Sequence, residues 1–327
     1  FNDTATTEIY TLSLHDALPI LTESIKKLLQ TEKSNQIFHS EQFTKWKLKK
    51  LLLNFAPLSK NYMPSFFLLP DFQIYEILNW LSKVLSNPDL DPIDKGKILA
   101  IHGFCLLFEG NYIQARESFQ KSLEVFLSTG IDQDSLELAD CYYRLGVAYY
   151  YLEDQKASLD NGHKALDIYL KSLEGEEYSH RIVDAYHLIT WAEDDMENYG
   201  KALEWCEKVI ALRRKQYGEN HSLTAQALSI KGTLLIRFNY LNAGFIDINK
   251  INDSFQSFRF GKVKQYEEAL TILEKSYSIL NRNLGVHPWT ATCLIYFGTY
   301  YYETKQFDKS LDSKMQGYQM RLKIYPE

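Results

Sequence analysis

Residues 141–158, CYYRLGVAYYYLEDQKAS, carry the pattern that organises most of the chain. Tyr142 is followed three residues later by the pair Leu145-Gly146 and then by Tyr149, and a second small residue, Ser158, lies twelve after Gly146. Spacings of three and four put Tyr142, Leu145 and Tyr149 on one helical face. Small residues twelve apart fall on two successive helices and let their axes approach to about 8–10 Å. Large apolar side chains then fill the gaps between neighbouring pairs. The stretch reads as a helical hairpin.

Four further windows share the spacing: Leu99/His102-Gly103/Leu106/Ala115, Tyr186/Ile189-Thr190/Glu193/Ala202, Leu228/Lys231-Gly232/Leu235 and Leu294/Phe297-Gly298/Tyr301/Ser310. In chain order the five form hairpins A to E, with residues 141–158 in B. No proline lies between Ile93 and His287, in agreement with long uninterrupted helices. No sustained period-2 run bounded by turn dipeptides suggests a strand. The expected fold is all-α, a stack of five hairpins. Glu193 stands where an aromatic is expected, Lys231 precedes Gly232, and Lys314 enters the core register of hairpin E. Hairpins C and E are therefore expected to be looser than B.

The anchors Gly103, Gly146, Thr190 and Gly232 are 43, 44 and 42 residues apart, and Gly298 follows after 66. These steps exceed the 34 residues of the common tetratricopeptide repeat. The linkers 211–221, ALRRKQYGENH, and 280–288, LNRNLGVHP, resemble the longer repeat of kinesin light chains. There a basic helix end runs through Tyr-Gly to a His-Pro that opens the next repeat. Basic residues at a helix C-terminus complement its dipole, and Pro288 suits a first helical turn. The resemblance covers residues 96–327 and implies a right-handed superhelical solenoid of tetratricopeptide hairpins. Hairpin D is interrupted: its second helix, KQYEEAL, begins only at 264–270, leaving residues 239–263 as an insertion. A surface loop is the first reading of that insertion, and a retained intron the second.

Residues 2–20 resemble the in-frame translation of a sequencing adapter, so 1–20 are set aside as a non-native segment. Residues 21–95 form an N-terminal helical region holding five of the eight prolines, with helices expected near 21–30, 36–55 and 71–87. The basic run 45–50, KWKLKK, reads as an amphipathic cap on the stack, with a membrane-surface helix as the alternative.

The formal charge of −6 argues against a nucleic-acid partner, because such binders carry a basic stripe. No apolar run approaches the length that spans a bilayer, so no membrane partner is expected. Four cysteines without metal or redox spacing suggest a reduced, cytoplasmic setting. Cys141 and Cys293 share a repeat position and read as small core hydrophobes. No phosphate loop, HExxH, CxxC or GxSxG occurs, and the eight histidines do not cluster. No catalytic residue, metal site or cofactor is expected.

The resemblance implies that the first helix of each hairpin lines a concave surface. Carried onto the anchors, this gives a candidate groove: Tyr143, Val147, Tyr150, Tyr151, His187, Trp191, Asp194, Asp195, Thr233, Arg237 and Tyr302. Ile236, Thr299 and Glu303 follow by the same rule, as do Phe104, Leu107 and Phe108 unless the N-terminal helices cover them. Such an aromatic trough with acidic residues would suit a peptide or partner protein with apolar anchors and a basic residue. The family's chaperone-tail clamp needs Asn directly after the small anchor. Here those positions are Phe104, Val147, Trp191, Thr233 and Thr299, so no such clamp is expected. The expected function is a protein-interaction scaffold. The alternative is the regulatory arm of a larger enzyme or nucleotide-driven switch.

Overall fold

The computed structural model describes residues 71–173, 180–244 and 254–324, all within the compact unit Met63–Glu327. The adapter-like segment, the expected helices near 21–30 and 36–55, and the basic run 45–50 lie outside the described residues. A leading helix, α1 (Asp71–Leu85), precedes five hairpins. Hairpin A is α2 (Pro92–Phe108) with α3 (Tyr112–Ser128), and B is α4 (Leu136–Tyr151) with α5 (Gln155–Ser172). C is α6 (His180–Asp195) with α7 (Tyr199–Tyr217), and D is α8 (Ser222–Gly244) with α9 (Ser254–Leu284). E is α10 (Pro288–Glu303) with α11 (Phe307–Ile324). No strand occurs among the described residues. None of their helices is long and apolar enough to cross a membrane.

The small residues close each hairpin. Ala115, Ser158, Ala202, Ala269 and Ser310 are all buried. A Cβ added at Gly146 would stand 3.1 Å from the Ser158 carbonyl, and one at Gly103 would stand 3.1 Å from that of Ala115. Ser310 Oγ donates to the Gly298 carbonyl at 2.7 Å, a bond that only this close approach permits.

Three-residue turns join the helices of A, B, C and E. Each chain leaves its first helix through a left-handed residue: Gly110, Glu153, Glu197 or Lys305. The next amide reaches back five residues, as Asn111 to Leu106, Asp154 to Tyr149, Asn198 to Glu193 and Gln306 to Tyr301. This 6→1 bond satisfies carbonyls that a helix end otherwise leaves unpaired.

Every second helix packs on the first helix of the following hairpin, and the apolar clusters straddle these boundaries. The result is an all-α solenoid. The polar departures find partners. Glu193, although buried, accepts from Asn198 Nδ2 at 2.8 Å, and Lys231 pairs with Glu207 at 2.6 Å. Where a loop was expected over 239–263, the flanking helices continue: α8 runs on to Gly244 and α9 starts at Ser254. Residues 245–253 lie outside the described residues.

The linkers act as joints. Arg213, fully buried near the end of α7, donates to the Leu223 carbonyl at 2.7 Å and to Gln226 Oε1 at 2.6 Å. Tyr217 stacks on His221 at 4.6 Å, and His221 Nδ1 accepts from the Leu223 amide. His287 is the N-cap of α10, accepting from the Trp289 amide at 3.1 Å ahead of Pro288.

Candidate functional site

Successive first helices also touch one another (α2 with α4, α4 with α6, α8 with α10), and the Arg237–Asp194 ion pair links α8 to α6, so they form an inner layer. Hairpin A adds little open surface there. Leu107 is buried in the same cluster that receives Leu78 of α1, as the covering alternative anticipated.

Hairpins B and C carry a chain of rings. Tyr112 stacks on Tyr151 at 4.7 Å, Tyr151 meets Tyr150 edge-on at 5.6 Å, and Tyr150 leans on Trp191 at 6.1 Å. Trp191 in turn stacks on His187 at 5.5 Å. Tyr143, Tyr150, Tyr151 and Trp191 are half-buried, so each remains partly accessible. Burial pushes the Tyr151 hydroxyl up to about 12. Burial also raises Tyr143, helped by the charge of Asp184. For Tyr150, burial acts together with the nearby Asp195 carboxylate to push the hydroxyl up.

The rings lead to a cavity of about 330 Å³ built by hairpins C, D and E. Its wall consists of Asp194, Asp195, Glu197, Tyr199, Ile236, Arg237, Thr299 and Glu303. Arg237 Nη1 donates to Asp194 Oδ2 at 2.5 Å. Asp194 Oδ1 is buried and has no hydrogen-bond partner among the described residues. Burial raises the Asp194 carboxyl, Arg237 pulls it back, and Asp195 adds to the rise. Four carboxylates against one guanidinium give the cavity wall an excess of acidic groups.

The remaining candidates are placed differently. Val147 is buried, part of the core between hairpins A and B rather than of the wall. His187 is also buried, beneath Trp191, and neither ring nitrogen has a partner among the described residues. Thr233 Oγ1 turns back to the Ser229 carbonyl of its own helix. Tyr302 is exposed but faces Phe307 at 5.7 Å and the Lys314 ammonium at 5.4 Å, away from the cavity lining. The anchor rule gives a helix position but cannot separate residues at a helix–helix seam from those one position round. Nothing can be said of the Phe108 side chain, which lies outside the described residues.

The wall residues Glu197 and Tyr199 were missed, as was Tyr112 at the end of the ring chain, and the two tyrosines share one register. Tyr112 and Tyr199 each stand three before the second small residue, the place held by Tyr266 and Phe307 in D and E. That recurrence was a usable signal. Asp140 was missed as well: it accepts from Tyr169 at 2.6 Å and from Arg181 Nε at 2.8 Å, fixing α4, α5 and α6 together. Among the described residues no group of His, Cys, Asp and Glu could hold a metal ion.

A tetratricopeptide repeat model matches residues 97–171 and 261–323, and a second model of the same description matches 183–223. These hairpins are tetratricopeptide repeats. The unmatched stretch 224–260 holds all but the last three residues of the hairpin D insertion. No curated protein matches the chain. Among solved structures, the tetratricopeptide stack is similar to a putative kinesin light chain with nearly identical repeats from Podosopora anserina. That match has 14% identity and a TM-score of 0.51 over 72% of this chain and 99% of that one. It is similar to the apo form of RapI, at 16% identity and a TM-score of 0.58, over 97% of this chain and 99% of that one. NprR in complex with its cognate peptide NprX matches at 15% identity and a TM-score of 0.57, over 96% of this chain and 77% of that one. At these identities the likeness is one of fold.

Proposed function

We propose that this tetratricopeptide stack recognises a peptide or peptide-like segment of a partner protein along its inner layer. An apolar or aromatic residue of the ligand lies over Tyr150 and Trp191. A lysine or arginine enters the cavity among Asp195, Glu197 and Glu303. The observation that carries this reading is the run of half-buried rings, ending at Tyr150 and Trp191, beside an acidic cavity whose Asp195 raises the Tyr150 hydroxyl. The peptide held by NprR, a protein of similar fold, lends support. Rigid aromatic anchors would supply most of the affinity, and the carboxylates would supply orientation and association rate.

A peptide array followed by fluorescence anisotropy tests the reading. Ligands selected by the intact protein should carry an apolar residue near a basic one. Trp191→Ala should weaken them at least tenfold, and Glu303→Gln should weaken them severalfold at low salt but little at high salt. Equal binding by wild type and Trp191→Ala would place the ligand elsewhere.

A further inference from the structure

Between hairpins C and D the first helices approach each other less closely than elsewhere in the inner layer, and the acidic cavity takes its wall from both. The residue five past the anchor is Asp195 in C, Arg237 in D and Glu303 in E, and all three line the cavity. Arg237 therefore stands in the middle of the acidic wall, with a carboxylate in the same register of either neighbouring hairpin.

The two ion pairs that tie α6 to its neighbouring first helices differ in kind. Arg181 grips Asp140 of α4 with two nitrogens, Nε at 2.8 Å and Nη2 at 3.1 Å, and its side chain is 22% exposed. A forked pair of this sort is a strut. Arg237 reaches Asp194 through Nη1 alone, at 2.5 Å, and makes no other hydrogen bond or ion pair among the described residues. Its side chain is 43% exposed. A single contact from a half-exposed guanidinium is readily exchanged for a contact from another cation.

We propose that Arg237 is the specificity-determining residue of the acidic cavity: it holds the place of a ligand cation, and a basic residue of the bound peptide competes with it for Asp194 and the neighbouring carboxylates. The proposal rests on the peptide reading above and adds to it a competitor resident in the wall. Arg237 then lowers the affinity for any one cation and limits how many basic groups the cavity accepts. Asp194 has capacity for the exchange, since Oδ2 carries the Arg237 contact while Oδ1 has no hydrogen-bond partner among the described residues. Without Arg237, four carboxylates would line the cavity with no cation in its wall.

Isothermal titration of the full chain with N-acetyl-arginine amide tests the competition, with the neutral N-acetyl-citrulline amide as control. Arg237→Gln should bind the arginine probe about fivefold more tightly than wild type, and the gain should shrink at high salt. Arg237→Lys keeps the charge and should gain less. The citrulline probe should gain nothing from either substitution. In the wild type, saturation with the arginine probe should shift the side-chain Nε–H resonance of Arg237, a readout that depends on no variant. Equal or weaker binding by Arg237→Gln, a gain shared by the citrulline probe, or an unmoved Arg237 resonance on saturation would overturn the proposal and leave the peptide reading standing. Failure of the arginine probe to bind either wild type or Arg237→Gln would overturn this proposal together with the entry of a basic residue into the cavity.

Discussion

Glu153, Glu197 and Lys305 hold φ of +61°, +62° and +62°, where hairpin A has Gly110. A Cβ in this region costs about 1 kcal/mol or more. Glu153→Gly should therefore raise stability by up to about 1 kcal/mol in urea unfolding; a loss would mean that the Glu side chain supplies more than its strain removes. Glu197 is the exception to leave alone, because it lines the cavity. Gly146 has the opposite constraint, with Leu188 Cδ2 at 2.9 Å and a backbone carbonyl at 3.1 Å from the place of a Cβ. Gly146→Val should cost about 1–3 kcal/mol by forcing α4 from α5. Of the eleven candidate groove residues that the resemblance placed on the anchors, Trp191 stands in the ring chain and Asp194, Asp195 and Arg237 line the cavity. Spacing could not reveal that Val147 and His187 are covered, since burial depends on the neighbouring hairpin.

His187 makes that burial measurable by pH. Desolvation lowers its pKa to about 4 from 6.5. The unfolded chain takes up this proton below about pH 6.5, but the folded protein does not until about pH 4. The contribution is thus full above pH 6.5 and is lost as pH falls through that window, by about 3 kcal/mol in all. His187→Leu should flatten the decline in urea midpoints between pH 7 and 4.5. An unchanged decline would assign the acid sensitivity to other groups, His287 among them, which burial also lowers to about 4.

At the scale of elements, the basic linker motif does more than complement a dipole. Arg213 lies inside the joint, and burial lowers its pKa to about 9, which leaves it charged at neutral pH. Arg213→Ala should leave the Leu223 carbonyl without this donor and open a cavity, at a cost of about 2–4 kcal/mol. Arg213→Lys should restore only part of the loss, since both contacts come from Nη1 at the tip of the longer side chain and an ammonium is more strongly hydrated. Amide exchange in the first turn of α8 would report the damage directly. The linker was recognisable because basic residues, Tyr-Gly and His recur as letters. The helical continuation of the hairpin D insertion was not, because 239–263 mix Asn, Ile and Phe without a clear period.

Over the whole molecule, contacts run between neighbouring helices of adjacent hairpins, so stability is a sum of local terms. Gly146→Val should accelerate amide exchange in hairpins A to C while leaving D and E near wild type. Uniform acceleration would show instead that the stack unfolds as one unit. The sequence by itself determined the all-α class, the number of hairpins and the anchor of each, because helix period and close axis approach depend on residue type and spacing. It also determined that Cys141 and Cys293 are small core residues, and burial pushes their thiols up to about 11 and about 12. Only the tertiary structure decided which inner residues stay open, that Tyr112 joins the ring chain and Tyr199 the wall, and that Asp194, Arg237 and Glu303 meet around one cavity. Those three come from three hairpins, and the angle between hairpins is set by packing across many side chains rather than by any local spacing.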